Sequence, residues 1–109
     1  MIYWQTIHAE TRDGFEVVLS VAPETDDPRD HFDDDGETAQ AIADGRFDWF
    51  VARVEAQRDG ITLGTDYLGA CCYESPQQFV AESEGYYADM VKQAIDDARA
   101  TLARLTQPA

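Results

Sequence analysis

The sequence predicts an α+β fold, a four-stranded antiparallel sheet in a ββα-ββα arrangement with a long C-terminal helix packed on one face. Two stretches with the composition of strands are each broken by an Arg-Asp-Gly triplet, at residues 12–14 and again at 58–60. A helical pattern over residues 86–105 closes the chain. At 109 residues and 12.2 kDa, the chain has the size of a single domain, residues 1–109.

The first hairpin is predicted over residues 2–10 and 15–21, where apolar and polar side chains alternate. Between these strands stands Asp13-Gly14, the pair that a tight hairpin turn prefers. Alternate residues of a strand point to the same side, so four apolar residues are predicted to share one face of the second strand: Phe15, Val17, Leu19 and Val21.

The second hairpin follows the same plan. Residues 47–57 are rich in aromatic residues and valine, and Asp59-Gly60 repeats the turn. The next strand is predicted to place four residues on one face: Ile61, Leu63, Tyr67 and Cys71. Because each hairpin is followed by a proline, an aromatic residue, a glycine and a helical stretch, we interpret the chain as a ββα unit that occurs twice.

The helices are bounded by recognisable signals. A short helix is predicted over residues 37–44 with Gly45 as its stop, and another starts at Ser75-Pro76 and runs to about Glu82. Gly85 separates that helix from the long one at residues 86–105. The inner face of the long helix is predicted to carry Tyr87, Met90, Val91, Ala94, Ala98, Leu102 and Leu105.

The second face of the sheet needs a cover. Trp4 and the set Phe47, Trp49 and Val51 cannot point inward together with Phe50 and Val54. Either the acidic loop and the short helix cover this face, or it forms a subunit interface. Phe47, Trp49 and Val51 are therefore candidates for a homodimer interface.

The most informative feature for function is the acidic segment, defined here as residues 24–37. Eight of its fourteen residues are carboxylates, against one arginine, so it carries half of the net charge of −14. Such crowding of like charge costs folding free energy, which suggests that the carboxylates face a cationic partner. With two acidic residues beyond the segment, the predicted partner-binding residues are Glu24, Asp26, Asp27, Asp30, Asp33, Asp34, Asp35, Glu37, Asp44 and Asp48.

The overall charge restricts the class of partner. An isoelectric point near 4.1 argues against direct binding of nucleic acid or of an anionic membrane, since both require a basic surface. A calcium loop of the EF-hand type is excluded: with Gly36 at its centre, His31 and Ile42 fall where acidic ligands are needed. An irregular cation site formed by Asp33, Asp35 and Glu37, or a solvated loop, stays open as an alternative, although we expect neither metal nor cofactor.

No catalytic signature accompanies the acidic segment. His8 and His31 have no nearby nucleophile in a known motif, and Gly60, Gly64 and Gly69 form no phosphate-binding fingerprint. Adjacent cysteines at 71 and 72 suit neither a disulfide framework nor a zinc site, so we expect reduced thiols. We therefore expect no enzyme and no catalytic residues.

The expected location is the cytoplasm. The first ten residues are polar and alternating, without the basic flank and apolar run of a secretory signal. No stretch of the chain approaches the roughly 18 apolar residues of a membrane-spanning helix.

Three stretches of the chain, at residues 48–56, 63–73 and 85–91, together with Gly60, carry a resemblance. They resemble a family of small acidic proteins of phages and plasmids, and they lie within residues 48–91, a span of 44 of the 109 residues. The resemblance implies a genetic setting and carries over no site residues. Mobile elements encode many small acidic proteins that disarm host restriction or CRISPR machinery, some of them by imitating DNA.

Charge and resemblance together predict a non-enzymatic inhibitor or modulator in the host cytoplasm. Its partner would be a basic, nucleic-acid-binding host protein such as a CRISPR or restriction component, and its carboxylates would stand in for DNA phosphates. The alternative is a structural or adaptor module that forms a homodimer through the aromatic strand, with acidity serving only solubility.

Overall fold

The protein, seen in a computed structural model that describes residues 3–82 and 84–106, contains one antiparallel sheet with its strands in chain order. The strands are β1 (Gln5–Arg12), β2 (Phe15–Pro23), β3 (Asp48–Arg58) and β4 (Ile61–Tyr73). The predicted α+β class and four-stranded antiparallel sheet are confirmed. Ile2, which was predicted to open the first strand, lies outside the described residues.

Helices follow each hairpin. A 3-10 helix (Pro28–Asp30) and α1 (Glu37–Ala43) connect β2 to β3, and α2 (Pro76–Glu82) and α3 (Tyr86–Thr106) follow β4. Gly45 and Gly85, at φ of 78° and 96°, stand where the sequence predicted a stop and a break. Such left-handed conformations favour glycine because it lacks Cβ.

Both hairpin turns have the geometry that Asp-Gly favours. Asp13 and Gly14 have φ of 55° and 83°, and Asp59 and Gly60 have φ of 53° and 78°. Positive φ at both central residues is the mark of a type I′ turn. Because β2 and β3 are antiparallel, both turns lie at one end of the sheet, here named the turn end, and residues 24–47 lie at the other, the loop end.

The core lies between the sheet and α3. From the sheet it takes the predicted inner face of β2 and alternate residues of β3, with Val17, Leu19, Ala52, Val54 and Ala56 fully buried. From α3 it takes Tyr87, Met90, Val91, Ala94, Ile95 and Ala98. Ile95 was not among the predicted inner residues, although it lies next to Ala94 on the same side of the helix.

Leu105 was predicted to be buried and is not. It is 71% exposed, whereas Leu102 packs partly against the core. Ala98 already contacts Gly64, close to the first residue of β4, so little sheet remains under the last turns of α3. The helical periodicity continues past the end of the surface that it would pack against.

The predicted face of β4 is also wrong. Cys71 pairs with Phe50 and is buried in the core, whereas Tyr67 pairs with Arg53 on the opposite face and is 60% exposed. A bulge separates them, with Ala70 at a φ of 55°. Extra residues in a bulge change which face the following side chains occupy, so alternation predicted across the bulge fails.

Truncation of Met90 and Leu102 tests the inner face of α3. Met90 is 3% exposed, so we expect Met90→Ala to lower the free energy of unfolding by about 2–5 kcal/mol. Leu102→Ala should cost less, because Leu102 is only partly buried. Urea denaturation of both variants checks this order, and equal midpoints would contradict the placement of the helix.

Candidate functional site

The acidic segment is anchored to the sheet by Trp49 of β3. The Trp49 Nε1 donates a hydrogen bond to the carbonyl oxygen of Asp26 at 2.8 Å. Its ring lies 5.5 Å from the His31 ring and 5.8 Å from the Phe32 ring, measured between centroids. The acidic segment thus packs through Trp49 against the second face of the sheet.

Glu24 holds the bulge of β4. Its carboxylate accepts a hydrogen bond from the backbone N–H of Ala70 at 2.9 Å. It also accepts from the N–H groups of Thr25 and Asp26, each at 3.1 Å. These bonds, the one from Ala70 above all, lower the pKa of Glu24 although partial burial opposes them. The carboxylate is therefore engaged within the fold.

Asp27 and Asp34 are engaged in the same way. Asp27 caps the 3-10 helix by accepting from the Arg29 N–H at 2.9 Å. Asp34 accepts from the Thr38 N–H at 3.1 Å and from the Thr38 hydroxyl, and these bonds lower its pKa. Gly36, the N-cap of α1, offers no side chain, so Asp34 supplies the acceptor that the first turn needs.

The remaining predicted carboxylates fall into two groups. Asp26 and Asp44 have basic neighbours, His31 at 3.3 Å and Arg46 at 3.9 Å. The others are exposed, and no described residue gives their side chains a hydrogen bond or an ion pair. They are named here the unpaired carboxylates: Asp30, Asp33, Asp35, Glu37 and Asp48.

Three of the seven arginines lie at the turn end, away from these carboxylates. At the turn end, Arg12 pairs with Glu10 at 3.1 Å and Arg99 pairs with Asp13 at 3.5 Å. Arg58 also lies there, with its guanidinium 4.3 Å from the Phe15 ring. In residues 24–48 the basic residues are Arg29, His31 and Arg46. The loop end is therefore the acidic end of the molecule.

The predicted dimer interface lies on the second face of the sheet. Phe47, Trp49 and Val51 are each half-buried, and Trp49 is covered by His31 and Phe32 of the same chain. Farther along this face, Trp4 stacks on the Arg53 guanidinium at 4.2 Å and lies 6.1 Å from Tyr67. The chain thus covers part of the face with its own acidic segment and with Trp4.

A cleft of about 440 Å³ opens at the loop end, between the start of β1 and the start of β3. The aromatic side chains in its lining are Tyr3, Trp4, Trp49 and Phe50, and Asp48 lies beside them. Of these, Trp49 was predicted to belong to a homodimer interface, and Trp4 was predicted to lie on the same uncovered face of the sheet. The proximity of Asp48 to Tyr3 and Trp4 was not predicted, since these residues are far apart in the chain and meet only in the folded sheet.

Other kinds of site find little support in the described residues. Among them, no three His, Cys, Asp or Glu side chains are grouped as a metal ion would require, which leaves the alternative cation site of Asp33, Asp35 and Glu37 unformed. Cys71 and Cys72 are free thiols, and burial raises the pKa of Cys71 to about 11. No described helix has both the length and the apolar character to cross a membrane.

Because the Glu24 carboxylate accepts hydrogen bonds within the fold, its contribution to stability is expected to depend on pH. Glu24→Ala removes the acceptor of three backbone N–H groups, so we expect about 1–3 kcal/mol less stability at neutral pH. Because folding lowers the pKa of Glu24, this stabilisation is present above the usual value of 4.5 and is lost as pH falls through the lowered value.

Thermal melts between about pH 7 and pH 3 test this, with Asp30→Ala as the matched control. The Asp30 side chain has no partner among the described residues, so its removal should change stability by no more than about 0.5 kcal/mol. A Glu24→Ala deficit that stayed constant over the whole pH range would contradict the assigned hydrogen bonds.

Comparison of the chain with models of protein families, with curated proteins and with solved structures found no match.

Proposed function

We propose that this protein is a non-enzymatic acidic inhibitor or modulator that binds the basic surface of a nucleic-acid-binding host protein. The unpaired carboxylates, Asp30, Asp33, Asp35, Glu37 and Asp48, form the centre of the contact, with Asp26, Asp27 and Asp44 beside them. The observation that carries the proposal is that some carboxylates of the acidic segment are hydrogen-bonded within the fold and others are not. Glu24 and Asp34 are engaged by the fold, whereas four exposed carboxylates of the segment, and Asp48 beyond it, have no partner among the described residues.

The energetics favour a cationic partner. Like charges this close repel one another, and the segment stays folded because Trp49, Glu24 and Asp34 hold its backbone. A partner that supplies arginine or lysine relieves the repulsion. The attraction between the acidic loop end and a basic surface also raises the rate of encounter.

The proposed partner is a protein that ordinarily binds nucleic acid. Such proteins carry the densest basic surfaces, shaped to accept rows of phosphate groups. When the carboxylates of this protein occupy that basic surface, nucleic acid can no longer bind there. The resemblance to acidic proteins of phages and plasmids supports this choice, with CRISPR or restriction components as targets in the host cytoplasm.

The order of elements supports a finer view of the fold. A hairpin closed by Arg-Asp-Gly and followed by helix occurs twice, with α1 after the first hairpin and α2 and α3 after the second. We propose that this is a ββα-ββα arrangement in which the second helical region is the longer one and covers the sheet. The acidic segment occupies the matching place in the first half.

The alternative, a homodimer through Phe47, Trp49 and Val51, has less support. Trp49 is already covered by His31 and Phe32, so a second copy would have to displace them or pack around them. With a net charge of −14 on each copy, the two copies would also repel one another.

Two matched double variants test the proposed contact. Asp33→Asn with Asp35→Asn removes two unpaired carboxylates, and Glu16→Gln with Asp59→Asn removes two exposed ones elsewhere. Each pair includes one aspartate at positive φ, 56° at Asp35 and 53° at Asp59, where asparagine is well tolerated. Both variants should therefore fold and have the same net charge.

The partner is first captured from bacterial lysate at low salt, identified and purified, and its affinity for each protein is measured by calorimetry. We expect the Asp33/Asp35 variant to bind at least about tenfold more weakly, and the Glu16/Asp59 variant to bind within about twofold of the parent. An excess of duplex DNA should displace the partner. If the two variants lost the same affinity for the partner, the loss would depend only on net charge, which would contradict the assigned surface.

A further inference from the structure

The cleft at the loop end combines aromatic faces with a negative charge. Tyr3 is 77% exposed, and Trp4 and Trp49 are partly exposed. Asp48 lines the same cleft and belongs to the unpaired carboxylates. At about 440 Å³ the cleft has room for a long side chain. Exposed aromatic rings beside an unpaired carboxylate have the chemistry of a binding site for an organic cation.

We infer that this cleft receives an arginine side chain of the cationic partner, stacked on the aromatic rings and paired with Asp48. The inference rests on the proposed function and names the anchor of that contact. An arginine guanidinium is planar and weakly hydrated, so it can stack on an aromatic ring while it donates to a carboxylate. A lysine ammonium is a compact and strongly hydrated charge, which makes it the poorer occupant.

The chain itself uses the same chemistry twice. The Arg53 guanidinium lies 4.2 Å from the centroid of the Trp4 ring, and the Arg58 guanidinium lies 4.3 Å from that of Phe15. Trp4 thus already holds one guanidinium, on the sheet, and it also lines the cleft. Asp48 and Trp49 connect the cleft with the acidic segment, so the arginine lies within the proposed contact.

Tryptophan fluorescence reports on this cleft directly. The chain contains two tryptophans, Trp4 and Trp49, and both line it. The probes are hexa-arginine and hexa-lysine peptides at equal ionic strength. We expect hexa-arginine to change the tryptophan emission saturably and to bind at least about fivefold more tightly than hexa-lysine.

Two variants locate the binding. Tyr3→Ala removes an exposed ring and Asp48→Asn removes the carboxylate, and each should weaken hexa-arginine binding about three- to tenfold. Asp59→Asn, at the turn end, removes one charge far from the cleft and serves as the control. Thermal melts of all three should match the parent, because Tyr3, Asp48 and Asp59 are exposed.

Three results would overturn the inference: equal affinity for the two peptides, unchanged tryptophan emission at saturation, or equal effects of Asp48→Asn and Asp59→Asn. The purified partner separates this failure from that of the proposed function. If the Asp33/Asp35 variant loses partner binding while Tyr3→Ala and Asp48→Asn keep it, the contact through Asp33 and Asp35 is supported, whereas the arginine cleft and the part of Asp48 in the contact are contradicted.

Discussion

Replacing Gly64 by alanine is expected to lower the free energy of unfolding by at least about 3 kcal/mol, or to prevent folding. A Cβ at this position would collide with the carbonyl oxygen of Ala94 and would lie 2.5 Å from the Ala98 nitrogen. Both atoms belong to the backbone of α3, so no side-chain rotation relieves the clash. The whole helix would have to move away from β4, and core contacts would be lost along its length.

The matched control is Thr62→Ala, in the same strand at an exposed position. That change removes one surface hydrogen bond, to Glu55, and should cost no more than about 1 kcal/mol. Urea denaturation of the two variants gives the comparison. If Gly64→Ala unfolded at the same urea concentration as Thr62→Ala, α3 could not pack on β4 as closely as described.

Removing the ring of Phe79 is expected to have the next largest effect. Phe79 of α2 is fully buried, and its ring lies 6.1 Å from Phe50, 5.3 Å from Tyr73 and 6.3 Å from Tyr87 between centroids. Phe79→Ala leaves a cavity among three aromatic rings and should cost about 3–5 kcal/mol.

Phe79→Leu is the control, since it keeps most of the volume and should cost less than Phe79→Ala by about 2 kcal/mol. Calorimetric melts of the two variants measure the difference. Equal melting temperatures would mean that α2 does not contribute a packed ring to the core.

The parts of the fold that depend on local sequence could be predicted. A tight hairpin turn requires positive φ at both central residues, and Asp-Gly is one of the few pairs that tolerate it. The pairs at 13–14 and 59–60 therefore predict both hairpins. Gly85 breaks the helical region for a similar reason. The four-stranded antiparallel sheet follows from the two hairpins once β2 pairs with β3.

The errors arose where distant parts of the chain meet. Leu105 has the helical spacing of a core residue, but the sheet ends beneath it. Cys71 and Tyr67 keep the spacing of one strand face, but the bulge at Ala70 separates them. That bulge is held by Glu24, 46 residues away, a contact that no local pattern indicates.

The same limit applies to the candidate site. Composition predicted that the acidic segment matters, yet it treated all of its carboxylates alike. The structure separates Glu24 and Asp34, whose hydrogen bonds stabilise the fold, from Asp33 and Asp35, which have no partner among the described residues. A variant that neutralised Asp34 together with its neighbours would lose stability as well as charge.

The most direct test of the proposed contact is the affinity of the purified partner, measured between about 0.05 and 0.5 M salt, for the parent and the two double variants. Over this range the Debye length falls to a few Å, so a contact between exposed charges should weaken steeply. We predict a shallower dependence of affinity on salt for the Asp33/Asp35 variant, and the parent slope for the Glu16/Asp59 variant. Identical slopes for all three proteins would contradict a contact made through the unpaired carboxylates.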